Sequence, residues 1–187
     1  MIIKKEDRRV IRTERQLEEA LFHLLKNKSI QQITVRELSD AADITRATFY
    51  THYRDAYDML LHLQDEMIRH IIELINDTTG KNPHDFFLRL FHYFAEELRH
   101  PEILFINSGE ESAMSRIGTA IRDNYMLKWT KKGGDYATTD YVYYRTYIIY
   151  GCISVLKLWI ENGMQESPER MADLAVSFLP EHRMVVR

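Results

Sequence analysis

The chain has 187 residues, a formal net charge of −3, 45% apolar residues and a single cysteine. That length and apolar content support one large packed unit or a small one joined to a larger one, and one cysteine excludes an intrachain disulfide framework and fits a reducing cytoplasm. No apolar run is long enough to cross a bilayer and no charged-then-apolar leader opens the chain, so the expectation is a cytoplasmic protein without a membrane partner. Seven Gly and four Pro fall between apolar stretches, which points to long helices with short breaks and so to an all-α fold.

Charge is unevenly spread. In residues 1–54 Lys and Arg outnumber Asp and Glu by 11 to 8, while in the remainder they are outnumbered by 20 to 14. The N-terminal arm carries Lys4, Lys5, Arg8, Arg9, Arg12 and Arg15. Such an arm can lie along phosphates or enter a minor groove, and it equally has the composition of a solvated terminus. Residues 1–5 are expected to be disordered in the free protein. A first helix is predicted from about Arg9 to Lys26, its apolar stripe formed by Leu17, Ala20, Leu21, Leu24 and Leu25 at i, i+3, i+4, i+7 and i+8.

The stretch ITVRELSDAADITRATFYTHY, residues 33–53, holds two helix starts close together. Thr34 and Glu37 have the spacing of a capping box, and Ile33 and Leu38 that of the hydrophobic staple around it. Thr45 repeats the cap, with Ile44 before it and Phe49 at the staple position. Phe49 and Tyr53, four apart, point inward. Arg46, Ala47, Thr48, Tyr50, Thr51 and His52 are left outside. An Arg, small hydroxyls and helix-start amides suit approach to a polyanion, because Arg reads guanine bidentately and Thr bonds phosphate or touches a thymine methyl. An ordinary solvated helix would carry the same residue types.

Asp55 caps a further long helix running to about Ile75, with Met59, Leu60, Leu63, Met67, Ile68, Ile71, Ile72 and Ile75 on its buried side. His62, Glu66 and His70 recur every four residues on it. The spacing is compatible with a metal, but no third strong ligand is fixed, so a charged exposed face is the better reading and no metal site is expected. Residues 76–82 form a loop; Asn76-Asp77-Thr78 matches a glycosylation sequon that a cytoplasmic protein would not use. Pro83 opens the next helix at a first helical position, with Phe86, Phe87, Leu90, Phe91, Phe94 and Leu98 along it. A short segment starts at Pro101, a helix spans about Glu111 to Thr130, and Lys131 to Asp135 is a flexible linker. Residues 140–162 are rich in Tyr, Ile and Val and favour strand by propensity, yet no turn interrupts them and Asn162-Gly163 is a helix stop. They are read as a helix, apolar nearly all round, which a second copy of the chain would cover most simply. Ser167 and Pro168 start a last helix with Met171, Leu174, Ala175 and Phe178 on one face. Two such helices from each copy make a four-helix interface, expected to use Tyr144, Ile148, Gly151, Val155, Trp159, Met171, Leu174, Ala175 and Phe178. The tail after Pro180 is expected to be loose.

The segment TVRELSDAADITRATFYTHYRDAYDML resembles the DNA-binding module of the TetR family of bacterial transcriptional regulators. The residues carrying the resemblance are Thr34, Val35, Leu38, Ala42, Ile44, Thr45, Ala47 to Tyr50, His52, Tyr53 and Leu60. With the preceding helix they cover about the first third of the chain. Three positions depart from the pattern: Ser29 and the turn residue Asp43 stand where Gly is common, and Ala56 where a phosphate-gripping Lys is common, with Arg54 nearby.

The resemblance implies a three-helix DNA-binding domain (residues 1–54), a connecting helix (55–76) and a larger helical regulatory and dimerisation domain (77–187). It places Arg46, Ala47, Thr48 and Thr51 at base edges with Thr45 at the helix start. Thr34, Tyr50, His52 and Arg54 fall at phosphates, and Arg36 reaches either. It further implies a repressor, dimeric on a palindromic operator in double-stranded DNA and released by a small molecule; an activator or co-regulator-binding member is the alternative, as is a helical adaptor with vestigial DNA binding. Candidate pocket residues are Phe87, Phe91, Phe94, Phe105, Tyr125, Trp129, Tyr143 and Tyr147, although such an aromatic stripe is more often plain core. An enzyme is not expected: glycine-rich phosphate loop, G-x-S-x-G and HExxH are all missing from the sequence. No cofactor is expected, and Cys152 reads as a small buried hydrophobe.

Overall fold

The structure, a computed structural model, describes residues 5–78, 82–106, 113–121 and 139–179. All regular elements among them are helical. The chain divides after Asp65 into two compact units, and the division falls inside a helix.

The first unit begins with α1, Lys5–Leu25. It starts earlier than the apolar stripe alone requires, so most of the basic arm is helical rather than extended. Leu17 and Leu21 are fully buried. A short 3₁₀ turn, Ile30–Gln32, follows, its entry fixed by the Ser29 N–H donating to Gln32 Oε1 at 3.1 Å. Then come α2, Val35–Ala41, and α3, Arg46–Tyr50.

The capping box at α2 forms as its spacing requires. Glu37 N–H donates to Thr34 Oγ1 at 3.2 Å, and Thr34 N–H donates to Glu37 Oε2 at 3.0 Å. The other carboxylate oxygen of Glu37 takes the Lys28 ammonium. That ammonium, followed by the Thr34 amide and hydroxyl, holds the Glu37 carboxyl down at about 2, against an ordinary 4.5. Between α2 and α3 the chain turns through Asp43, which has φ 52. Ile44 N–H bonds the Ser39 carbonyl at 3.0 Å and Asp43 N–H bonds the Asp40 carbonyl at 3.4 Å, the paired closure of a Schellman end. Leu38, Ala42, Phe49 and Tyr53 fill the space beneath the turn.

Helix α4, Ala56–Thr78, begins in the first unit and ends in the second. Asp55 caps it, accepting from Asp58 N–H at 2.8 Å. Its two histidines are engaged by rings: His62 sits edge-on to Tyr53 at 5.6 Å, and His70 stacks on Tyr93 at 4.0 Å.

In the second unit α5, Pro83–His92, starts at Pro83 with Asn82 as its cap. It does not run on regularly to Leu98. Residues Tyr93–Glu97 widen into a π turn closed by Leu98 N–H on the Tyr93 carbonyl at 3.3 Å, and the wider turn accompanies burial of both Tyr93 and Phe94. A 3₁₀ segment, Pro101–Phe105, and α6, Ala113–Ile121, come next. The long apolar segment is a helix, α7, Thr139–Glu161. It stops at a second Schellman end: Gly163 N–H bonds the Ile160 carbonyl and Met164 N–H the Trp159 carbonyl, both at 2.9 Å. Helix α8, Pro168–Ser177, has Ser167 as its cap and packs along α5. Two histidines of α5 tie those helices together, His84 to Asp173 at 3.1 Å and His92 to Glu169 at 3.2 Å.

Two outcomes follow from the local geometry. Replacing Asp43 by Gly removes a Cβ from a left-handed residue and is expected to stabilise the fold by about 0.5 kcal/mol net of glycine's unfolded-state entropy; Asp43→Val is expected to destabilise by about 1–2 kcal/mol. Chemical denaturation of the two variants reads both signs. Because folding lowers the Glu37 pKa, its contribution to stability is complete above the ordinary 4.5 and is lost as pH falls toward about 2. An NMR titration of the Glu37 carboxyl should inflect near 2, and Lys28→Gln should move the inflection back up toward 4.5.

Candidate nucleic-acid interface

Helix α3 is five residues long, too short to persist without caps and packing. Thr45 Oγ1 accepts from Thr48 N–H at 3.1 Å, and the two threonine hydroxyls bond each other at 2.9 Å. Phe49 is 0% exposed while its neighbour Tyr50 is 59% exposed, and their rings meet edge to face at 5.8 Å. Arg46, Ala47 and Thr51 are exposed and Thr48 is half-buried. One face of the turn is therefore locked down, and the other offers an Arg, a methyl, hydroxyls and a phenol.

Hydrogen bonding narrows what these groups can do. The Thr51 hydroxyl donates to the Thr48 carbonyl at 2.6 Å; its oxygen can still accept, and its methyl can still touch a base. Arg36 is exposed and pairs with Asp40 at 3.7 Å. His52, expected at a phosphate, has a side chain only 13% exposed, and its Nδ1 faces Glu14 of α1 at 3.5 Å, so it ties α1 to the recognition segment. Arg54 is held by Asp58: its Nε donates to Oδ1 at 2.9 Å and its backbone N–H to Oδ2 at 2.9 Å. Those bonds from Arg54 lower the Asp58 carboxyl pKa. Of Arg36, Arg46, His52 and Arg54, only Arg46 has no intrachain hydrogen bond or ion pair among the described residues. The carboxylates Asp58, Glu37 and Glu14 were not singled out as interface partners from sequence. The i,i+4 spacing of Arg54 and Asp58 signals their pairing, whereas nothing local signals the pairing of His52 with Glu14 across 38 positions.

In the second unit the expected pocket residues separate. Phe87, Phe91 and Phe94 are buried and Phe105 is half-buried. Tyr143 and Tyr147 are 71% and 75% exposed; Tyr125 and Trp129 lie outside the described residues. An apolar cleft is lined by Phe87, Leu90, Phe91, Cys152, Val155 and Phe178, with about 10 Å³ of room for a water-sized body, enough for about one water. Burial pushes the Cys152 thiol up to about 11, so it is a poor nucleophile.

The expected interface residues separate too. Trp159, Met171 and Ala175 are buried inside the chain. The Trp159 ring meets Phe91 edge to face at 5.1 Å, and its Nε1–H donates to the Glu166 carbonyl at 3.1 Å; these residues join α5, α7 and α8 rather than two copies. Ile148, Val155 and Leu174 are half-buried, while Gly151 and Phe178 are exposed, and the Tyr144 side chain lies outside the described residues. The exposed stripe on α7 comprises Tyr143, Tyr147, Tyr150, Gly151 and Leu158.

Comparison with known proteins bears on the family and the fold. Residues 81–180 match the family model TetR_C_8, described as a transcriptional regulator C-terminal region. An HTH-type transcriptional regulator of Bacillus subtilis (strain 168), YxbF, is 30% identical over 97 residues, covering 50% of this chain and 23% of that protein. The match thus spans about a quarter of the relative's length. The fold is shared with the fatty acid degradation regulator FadR from Bacillus halodurans, at a TM-score of 0.61 and 14% identity over 88% of this chain and 93% of that one. It is shared also with DhaS, the dihydroxyacetone kinase operon activator, at 0.56 and 20% over 88% and 92%. Among the described residues no helix is long and apolar enough to cross a membrane. With more than half its length matched by the family model and a helix-turn-helix ahead of the matched region, the chain belongs to the TetR family of transcriptional regulators.

Proposed function

We propose that this regulator binds DNA sequence-specifically through α3, as a two-fold dimer on a roughly palindromic operator, and represses until a small molecule releases it. The observation that carries the reading is Arg46: exposed, free of any carboxylate among the described residues, and set beside Ala47 on a helix whose opposite side is sealed by Phe49. An unpaired guanidinium on a small-residue surface keeps its full fork for the N7 and O6 of a guanine. The paired groups, Arg36 and Arg54, suit phosphate contact, where position matters more than base identity.

Dimerisation is supported by the α7 stripe. Tyr143, Tyr147, Tyr150 and Leu158 recur at helical spacing on one exposed face, with Gly151 open beside them and Phe178 exposed on α8. A monomer seldom leaves that much aromatic surface in water. Two-fold pairing places two recognition helices about 34–36 Å apart, one turn of B-DNA. An effector bound in the cleft between α5, α7 and α8, which has room for about one water, would widen it. An apolar ligand fits that lining.

Selection of bound duplexes from a random pool is expected to return two related half-sites one helical turn apart. On the selected duplex Arg46→Ala should lose about 1–3 kcal/mol and relax the base preference at one position per half-site; unchanged preference would remove Arg46 from the reading face. Leu158→Glu should convert the species seen by light scattering from two chains to one and weaken operator binding in parallel. A wild-type chain that scatters as a monomer at every concentration would overturn the dimer.

A further inference from the structure

We propose that Asp58 is a positioning residue for Arg54, and that the pair grips the DNA backbone; this rests on the DNA-binding reading above. Arg54 stands between the recognition segment and α4, and its side chain is 86% exposed. It does not wave freely. Its backbone N–H reaches Asp58 Oδ2 at 2.9 Å, while its Nε and Nη2 both reach Oδ1, at 2.9 and 2.5 Å. Asp58 is itself fixed, because it lies in the first turn of α4 and its own N–H is held by Asp55 Oδ1 at 2.8 Å.

A guanidinium has two edges that can take a pair of oxygens. Asp58 occupies the side edge, Nε with Nη2. The end edge, Nη1 with the second hydrogen of Nη2, remains, and Nη1 makes no hydrogen bond among the described residues. A planar fork fixed in this way is the geometry that grips two oxygens of a phosphodiester. A long flexible cation would have to lose its rotamer freedom on binding; here the carboxylate has already ordered it. Asp58 also places a negative charge near the phosphate. The two charges lie at adjacent edges of the guanidinium, closer than the roughly 10 Å over which 0.1 M salt screens, so the repulsion persists and ordering outweighs it.

The two effects of Asp58 have opposite signs in an experiment. Binding of the full chain to a fluorescently labelled random-sequence duplex is measured by anisotropy over a salt series. Arg54→Gln should reduce the slope of log affinity against log salt by about 0.9 for each phosphate that Arg54 neutralises in the wild-type complex. Asp58→Asn should weaken binding about fivefold, the upper range for an exposed pair, and should have no effect once Arg54 is Gln. Arg54→Lys keeps the charge but lacks the side edge, so it too should weaken binding; it carries the test if Asp58→Asn melts early. Tighter binding by Asp58→Asn, as removal of a negative charge alone would give, overturns the proposal, and so does an unchanged slope in Arg54→Gln. A wild-type chain with no salt-dependent binding to duplex would instead overturn the DNA-binding reading itself.

Discussion

Burial of the Phe49 ring is the interaction on which the exposed face of this protein depends. Five residues of helix make too few backbone hydrogen bonds to offset their own ordering, so α3 exists because its ends are capped and its one large apolar side chain is removed from water. Phe49 is fully buried, with Tyr53 tilted against it at 5.9 Å and Tyr50 edge-on at 5.8 Å. Burial of a Phe is worth about 1.5–3 kcal/mol, of the same order as the caps that begin α2 and α3. With the ring anchored, the positions on either side of it have no freedom to turn inward. Arg46, Ala47 and Tyr50 are exposed as a consequence of where Phe49 goes.

The surface around that helix is organised by charge pairing. Lys28 with Glu37, Arg36 with Asp40 and Arg54 with Asp58 set each cation against a carboxylate. Exposed pairs of this kind contribute little stability, so their main effect is to order long side chains. A cation ordered by its own protein meets a phosphate in a defined place, whereas a cation without a partner keeps all its donors for a base. On the proposed reading, the division between Arg54 and Arg46 is one between positioning and base contact, and it arises from one carboxylate four residues downstream of Arg54.

The second unit uses its aromatic residues in two ways. Phe91, Phe94 and Trp159 close the space among its helices, with the indole N–H satisfied by the Glu166 carbonyl. Tyr143 and Tyr147 stand in water. Both groups come from stretches of similar composition, and only packing separates them. The cleft that Phe91 helps to line has room for about one water.

Much of the local structure in both units was legible in the residues. Caps, staples and turns are local: Thr34 to Glu37, Ile44 to Phe49, Ser167 to Pro168 and Asn162 to Gly163 act over one to five positions, and a sequence displays such distances directly. The same holds for the helical state of 139–161, where length and an uninterrupted run outweighed strand propensity. What the sequence could not decide were choices among equivalent faces and among distant partners. A helix apolar all round does not say which side meets its own chain, so Trp159, Met171 and Ala175 read as interface residues although they are core. His52 read as a phosphate contact although Glu14, 38 positions away, faces it. By itself the sequence determined the all-α fold, the capped starts at Thr34, Thr45 and Ser167, the stop at Asn162-Gly163 and the outward residues of α3, because each rests on neighbours within about one turn. Tertiary structure alone decided which aromatics are buried and which cations are held, because those depend on surfaces brought together only when separate helices pack.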